Sequence, residues 1–167
     1  EKTMHGVAVL TTSDRCASGK MEDLSGEIAV DFLKNNGFAV VQKKIVPDDF
    51  NSIVEVLEKW SRDDSIQLII TTGGTGLSPR DVTPQATLSV IEYQIPGIAE
   101  FIRLNSVNKN EMSIISRGCA GVCNGTLIIN TPGSPDGVRD SLDYVKPVLP
   151  HAISLILGTD TSHSSTN

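Results

Sequence analysis

Two aspartates, Asp48 in the segment VPDD and Asp81 in SPRD, are the residues of this chain best suited to chemistry. Each follows an apolar run that reads as a strand, so the two carboxylates are placed to face one another across a pocket. Carboxylates that close repel, which raises one pKa unless a cation lies between them. Magnesium is the natural cation, because it takes hard oxygen ligands and links carboxylates to nucleotide phosphates. Helix capping is the competing duty, common for an aspartate just after a strand. Asp48 and Asp49 both suit it, whereas Thr83 already offers a cap downstream of Asp81.

Asp81 closes the run TTGGTGLSPRD, in which Gly73, Gly74, Thr75 and Gly76 crowd together. Glycines permit positive φ and let backbone N–H groups line up against an anion. A helix starting near Thr83 adds partial positive charge on the same side. The run is neither a Walker A motif, which needs a lysine, nor G-x-G-x-x-G. Phosphate binding and a plain strand-to-helix turn both remain open on glycine spacing alone.

Other residues offer less. Ser13 and Asp14, after the first strand, suit a ligand contact or the start of a turn. Arg80 and Arg117 suit phosphate oxygens or plain solvation. His5, His151 and His163 are scattered and none sits in a nucleophile motif, so a hydrolase triad has no support. The cysteines, Cys16, Cys119 and Cys123, lack the second half of a tetrahedral zinc set and read as reduced thiols of a cytoplasmic protein. A net charge of −6 disfavours nucleic acid and anionic membrane as partners, without excluding an anionic substrate at a local site. No apolar run reaches the ~18–20 residues of a membrane span, and the first ten residues show no signal-peptide pattern.

The elements that must position these residues follow from periodicity. The short, β-branched, apolar run at 6–12 reads as a buried strand, and 38–46 and 67–72 as a second and a third strand. Residues 25–37 read as a helix with Ser25 as its cap and Gly37 as its stop, and 47–64 repeat apolar residues at helical spacing. Thr83 caps a third helix with Pro84 at its first position. The stretch 95–107 restarts a helical pattern at Pro96–Gly97, and Asn124–Gly125 marks a hairpin. Ser134 and Pro135 open the last helical region, bent or interrupted at Pro147 and Pro150. Alternating strands and helices imply a single doubly wound α/β domain: a mostly parallel sheet, helices on both faces and a small β-hairpin. The domain is expected over 1–157, with 158–167 a polar, disordered tail.

Four loops lie at strand carboxyl ends: TTSDR, VPDD, TTGGTGLSPRD and NTPGSP. Together with SRGCAGV they resemble, over about Val7 to Leu157, the molybdenum-cofactor biosynthesis proteins of the Mog type, among them the plant Cnx G domain and the gephyrin G domain. The resemblance implies a MoaB/Mog-like fold, usually trimeric, and a molybdopterin adenylyltransferase that binds Mg-ATP and molybdopterin together. By position it assigns the catalytic and magnesium-holding carboxylates to Asp48 and Asp81, and the pterin serines to Ser106 and Ser116, which chemistry alone would pass over. It places the glycine loop, Asn130 and the run Pro132, Gly133, Ser134 in the adenylate and phosphate region. The MoaB-type branch often lacks the two carboxylates, so their presence favours a transferase; Gly137, early in a predicted helix, departs from the pattern. A protein or domain that inserts molybdenum is the implied partner. Two further readings stand beside the enzyme: a non-catalytic molybdopterin-binding module, and a trimerising G domain of a larger scaffold.

Overall fold

A computed structural model describes residues 4–160. Its centre is a six-stranded sheet built from β1 (Gly6–Thr12), β2 (Ala39–Val46), β3 (Leu68–Thr72), β4 (Tyr93–Gln94), β5 (Ala120–Cys123) and β6 (Thr126–Thr131), in the spatial order β2-β1-β3-β6-β5-β4. The β2, β1, β3 and β6 strands are parallel; β5 runs antiparallel to β6 and β4 antiparallel to β5. The mostly parallel, doubly wound sheet read from the sequence is therefore the one observed.

Alternate residues of the central strands feed two cores. Val7, Val9, Leu68, Ile70, Leu127 and Ile129 pack beneath α2 (Leu24–Asn35), α5 (Pro96–Val107), α6 (Pro135–Val145) and α7 (Leu149–Leu157). Ala8, Leu10, Ile69 and Ile128 face the other way, against α3 (Phe50–Ser61) and α4 (Thr83–Val90). Burial on both faces explains why these strands are unbroken apolar runs.

The chain turns from β1 to β2 on one side and to β3 on the other, so the winding reverses between β1 and β3. Such a reversal opens a crevice beyond the carboxyl ends of the two strands. Register makes the crevice a common edge: Thr12 pairs with Val46, Thr11 with Thr72, and Thr72 with Thr131. All four parallel strands thus end level, and their loops emerge side by side.

Several local expectations change. Asp23, not Ser25, caps α2, accepting from Gly26 N at 2.9 Å; its other oxygen receives the Thr11 hydroxyl at 2.7 Å. Ser25 lies inside the helix and donates to Gly133 O. Thr83 does not cap α4, whose N-cap is Val82 without a side-chain bond; the buried Thr83 hydroxyl pairs instead with that of Thr12 at 2.9 Å. Ser13, in contrast, caps a four-residue helix, α1 (Asp14–Ala17). Asn124 and Gly125 both take positive φ, 49° and 77°, as a tight hairpin turn requires. Gly158 caps α7 in the left-handed region, and His151 Nδ1 lies 2.8 Å from Asp160 Oδ2, so the first residues of the expected tail continue the fold. Residues 161–167, with His163, lie outside the described residues.

Candidate active site

The loop after β3 is shaped by its glycines. Gly73 and Gly74 have φ of 98° and 67°, values that L side chains rarely adopt. Space is as restrictive as torsion. A Cβ at Gly74 would meet the Thr83 hydroxyl, with Thr12 Oγ1 at 2.9 Å and Asp48 Oδ1 at 3.3 Å, while one at Gly76 would stand 2.9 Å from Asp81 Oδ2. Each family-assigned carboxylate therefore abuts one glycine of the same loop.

The Asp48–Asp49 ambiguity resolves into two separate duties. Asp49 is the N-cap of α3, accepting from Ser52 N at 2.9 Å. Asp48 is left to the crevice, where it forms a closed pair with Asp14: Asp14 N donates to Asp48 Oδ2 and Asp48 N to Asp14 Oδ1, both at 3.0 Å. Arg80 completes the set with a two-pronged contact on Asp14, 2.9 Å from Nε to Oδ2 and 2.8 Å from Nη2 to Oδ1. Arg80 is thus engaged by a carboxylate rather than left open to a phosphate. Its guanidinium holds the Asp14 carboxyl below the usual carboxylate range. Asp48 moves the other way: burial raises it first, and the charges of Asp14 and Asp81 add to the rise. Its Oδ1 is buried with no hydrogen-bond partner, the only such atom among the described side chains. Asp81 Oδ2 accepts from Ser78 N at 3.0 Å, which folds the loop back on itself without capping α4. No cluster of three or more His, Cys, Asp or Glu side chains gathers at metal-binding distance among the described residues.

A second region opens beside the first. A cavity of about 820 Å³ is lined by Thr75, Gly76, Ser106, Ser116, Pro132 and Ser134 among others. The predicted serines thus meet here, Ser106 from α5 and Ser116 from the end of a 3-10 turn (Glu111–Ile115). Asp48, Asp81, Ser13, Asp14, Gly73, Gly74 and Gly133 do not line it; they belong to the crevice side, and Thr75 with Gly76 is the shared border. Asn130 faces neither region. It is buried in the sheet, accepting from Cys119 N and donating to the Thr71 and Thr87 hydroxyls, each near 3 Å. Ser134 caps α6 by accepting from Gly137 N at 3.1 Å. A Cβ at Gly137 would stand 2.6 Å from Ser134 Oγ and 2.9 Å from Pro132 Cβ, which accounts for a glycine early in that helix.

Three cavity cations went unread in the sequence: Arg103, Lys109 and Arg139. Lys109 pairs with Asp140 at 2.9 Å and Arg139 with Asp136 at 3.1 Å. Arg103 and Ser106 stand three apart on α5, a spacing that places them on one face; Lys109 and Arg139 carried no comparable signal. The cysteines take no part. Cys119 Sγ contacts Asn130 Oδ1 and Cys123 Sγ contacts Ser61 Oγ, both at 3.3 Å, and burial pushes the Cys119 thiol up to about 11.

Known proteins share this architecture. Residues 8–151 match the family described as "Probable molybdopterin binding domain". The chain is 39% identical over 161 residues to a molybdopterin adenylyltransferase of Helicobacter pylori J99, covering 94% of this chain and 90% of that protein. It is 40% identical over 156 residues to the molybdenum cofactor synthesis protein cinnamon of Drosophila melanogaster, covering 92% of this chain but only 26% of that longer protein. Among solved structures, the molybdopterin biosynthesis Mog protein of Mycobacterium ulcerans superposes with a TM-score of 0.87 at 41% identity, over 94% of this chain and 99% of that one. Fold and relatives agree, and the chain belongs to the molybdopterin-binding family of molybdenum cofactor biosynthesis proteins.

Proposed function

We propose that the chain is a molybdopterin adenylyltransferase, moving AMP from Mg-ATP to the terminal phosphate of molybdopterin. The observation that carries this reading is the unpartnered, buried Oδ1 of Asp48 beside the glycine loop. Buried polar atoms are almost always satisfied, so an orphaned carboxylate oxygen in a crevice suits a cation. Asp48 and Asp81 would hold magnesium, which commonly takes one or two carboxylates and completes its shell with water and phosphate. When bound, the ion neutralises charge on the triphosphate and on the leaving pyrophosphate.

The chain's own residues supply position. Gly73 N already donates to Thr131 O at 3.2 Å, so a phosphate would find the loop's amides from Gly74 through Gly76. Molybdopterin would occupy the cavity, with Ser106 and Ser116 as its contacts, and the run 132–134 would border both substrates. Because Thr75 and Gly76 border both regions, the pterin's terminal phosphate can meet the α-phosphorus of ATP there. A phosphate oxygen forms the new bond to that phosphorus, the bond to the β-phosphate oxygen breaks, and pyrophosphate leaves. Catalysis of this kind is alignment and charge neutralisation, with no covalent work for the protein.

The family's trimer is part of the same proposal, and the exposed Tyr93, Phe101 and Leu104 supply apolar surface for it. We place the protein in the cytoplasm, where its three free thiols stay reduced, delivering its product to a molybdenum-insertion protein or domain. A second reading, a binding or trimerising domain of a larger scaffold, is favoured by one fact: the chain spans only 26% of cinnamon.

Incubation with ATP, magnesium and molybdopterin is expected to yield adenylylated pterin and pyrophosphate in equal amounts. Pterin retention without pyrophosphate would select the binding module, and full turnover after chelation would remove the metal role. Light scattering is expected to give three times the 17.9 kDa chain mass, and a monomer would end the trimer proposal.

A further inference from the structure

Arg117 has no counterpart in the chemistry outlined above, yet it makes three hydrogen bonds to the glycine loop. Its backbone N–H donates to Thr75 O at 2.8 Å. Its Nε donates to Gly76 O at 2.8 Å and its Nη2 to Asp81 O at 2.7 Å. The guanidinium therefore spans the two ends of the segment 76–81 and fixes the distance between them. Both ends matter, because a Cβ at Gly76 would already stand 2.9 Å from Asp81 Oδ2.

A second arginine holds the segment that carries Arg117. Arg103, on α5, donates from Nη1 to Ser116 O at 3.3 Å and to Gly118 O at 2.7 Å. Ser116 and Gly118 are thus tied to α5 while Arg117 between them reaches into the crevice loop. The link from cavity to crevice runs Arg103, residues 116–118, then the Gly76 and Asp81 carbonyls. A planar, rigid fork suits two fixed carbonyls, whereas a lysine is a single mobile point of charge.

We infer that Arg117 is a positioning residue, which sets the loop carrying Asp81 in register with the segment carrying Ser116. It acts through the backbone at residues 75, 76 and 81 and contacts no reacting atom. Its kinetic consequence rests on the adenylyl transfer proposed above; its hold on the loop does not. Misplacing a reacting group by about 1 Å can cost about 10²-fold in rate even when binding is kept.

Arg117→Ala and Arg117→Lys test this by hydrogen exchange and steady-state kinetics together. In the substrate-free alanine variant, the hydrogen-bonded amides of the 75–81 segment, Ser78 and Asp81, should exchange about tenfold faster or more, the weight of one charge-assisted hydrogen bond, while β1 and α3 keep their protection. Turnover should fall about 10²-fold with KM for molybdopterin within about threefold, and added guanidinium ion should restore part of it. Lysine should resemble alanine rather than wild type. Unchanged exchange at 75–81 overturns the inference, as does full activity in the lysine variant. A uniform rise in exchange with a matching loss of folded protein would make Arg117 merely structural, which also overturns it. If wild-type protein transfers no adenylyl group, the proposed function fails, and loop exchange alone decides the place of Arg117.

Discussion

The crevice and the cavity meet at Thr75 and Gly76 but are built by different means. On the crevice side the backbone itself is constrained. Two glycines at positive φ, the reciprocal Asp14–Asp48 bonds and the Ser78–Asp81 turn fix the loops, while Asp48 Oδ1 is left open. On the cavity side two of the cations, Lys109 just beyond α5 and Arg139 on α6, sit at the ends of long side chains paired at the surface. Lys109 and Arg139 keep 62% and 52% of their side-chain surface exposed, so their ion pairs are weak and easily exchanged. A region that must align charge on small, hard groups benefits from a stiff backbone, whereas one that accepts a larger, mixed-polarity molecule tolerates mobile side chains.

Asp81→Asn should have the largest effect. The new amide oxygen can still accept from Ser78 N, so the turn should survive, but the charge is gone. We expect kcat/KM for ATP to fall by about 10²–10³, with pterin affinity and melting temperature nearly unchanged. A nearly wild-type rate would place Asp81 among the turn-forming residues alone. Ser106→Ala should do the converse on the cavity side. Losing one hydrogen bond is worth about 1 kcal/mol, so KM for molybdopterin should rise about fivefold while nucleotide binding holds; equal loss of both would dissolve the division between the regions.

Asp48→Asn separates catalysis from stability. Burial raises the folded-state pKa of Asp48, so its ionised form opposes folding. That cost is present above the folded pKa and disappears as pH falls below the unfolded value. In metal-free buffer the variant should therefore melt at or above the wild-type temperature at neutral pH, with the gap closing in acid. A lower melting temperature at neutral pH would show that the Asp14–Asp48 pairing outweighs desolvation. Lys109→Ala should matter least: its pair with Asp140 is exposed and screened by solvent, and thermal unfolding should not distinguish it from wild type.

What could be read from residues alone tracks how local each determinant is. β1, β3 and β6 announce themselves because burial on both faces demands unbroken apolar runs. Tyr93–Gln94 does not, being two exposed residues made a strand only by pairing with Gly121 and Val122. Caps depend on partners outside the helix that residue type does not reveal. Asp23 prevails over Ser25 because its second oxygen also satisfies Thr11, a residue on another element. Thr83 loses its cap for a similar reason, a buried partner in Thr12. The same limit applies at the site: Asp48 and Asp49 are indistinguishable by type, and only the crevice tells the cap from the open carboxylate. The cavity cations come from separate segments that meet only in the fold.

The level ending of the parallel strands also leaves the opposite rim of the sheet without site loops. The Asn124–Gly125 turn precedes β6, so it lies at that far rim, beyond the start of a strand whose other end carries residues 132–134. Surface turns of this kind accept inserted sequence more readily than buried backbone does. A short polar peptide spliced there gives a handle for a dye or for immobilisation, with the whole depth of the sheet between the attachment point and the substrates.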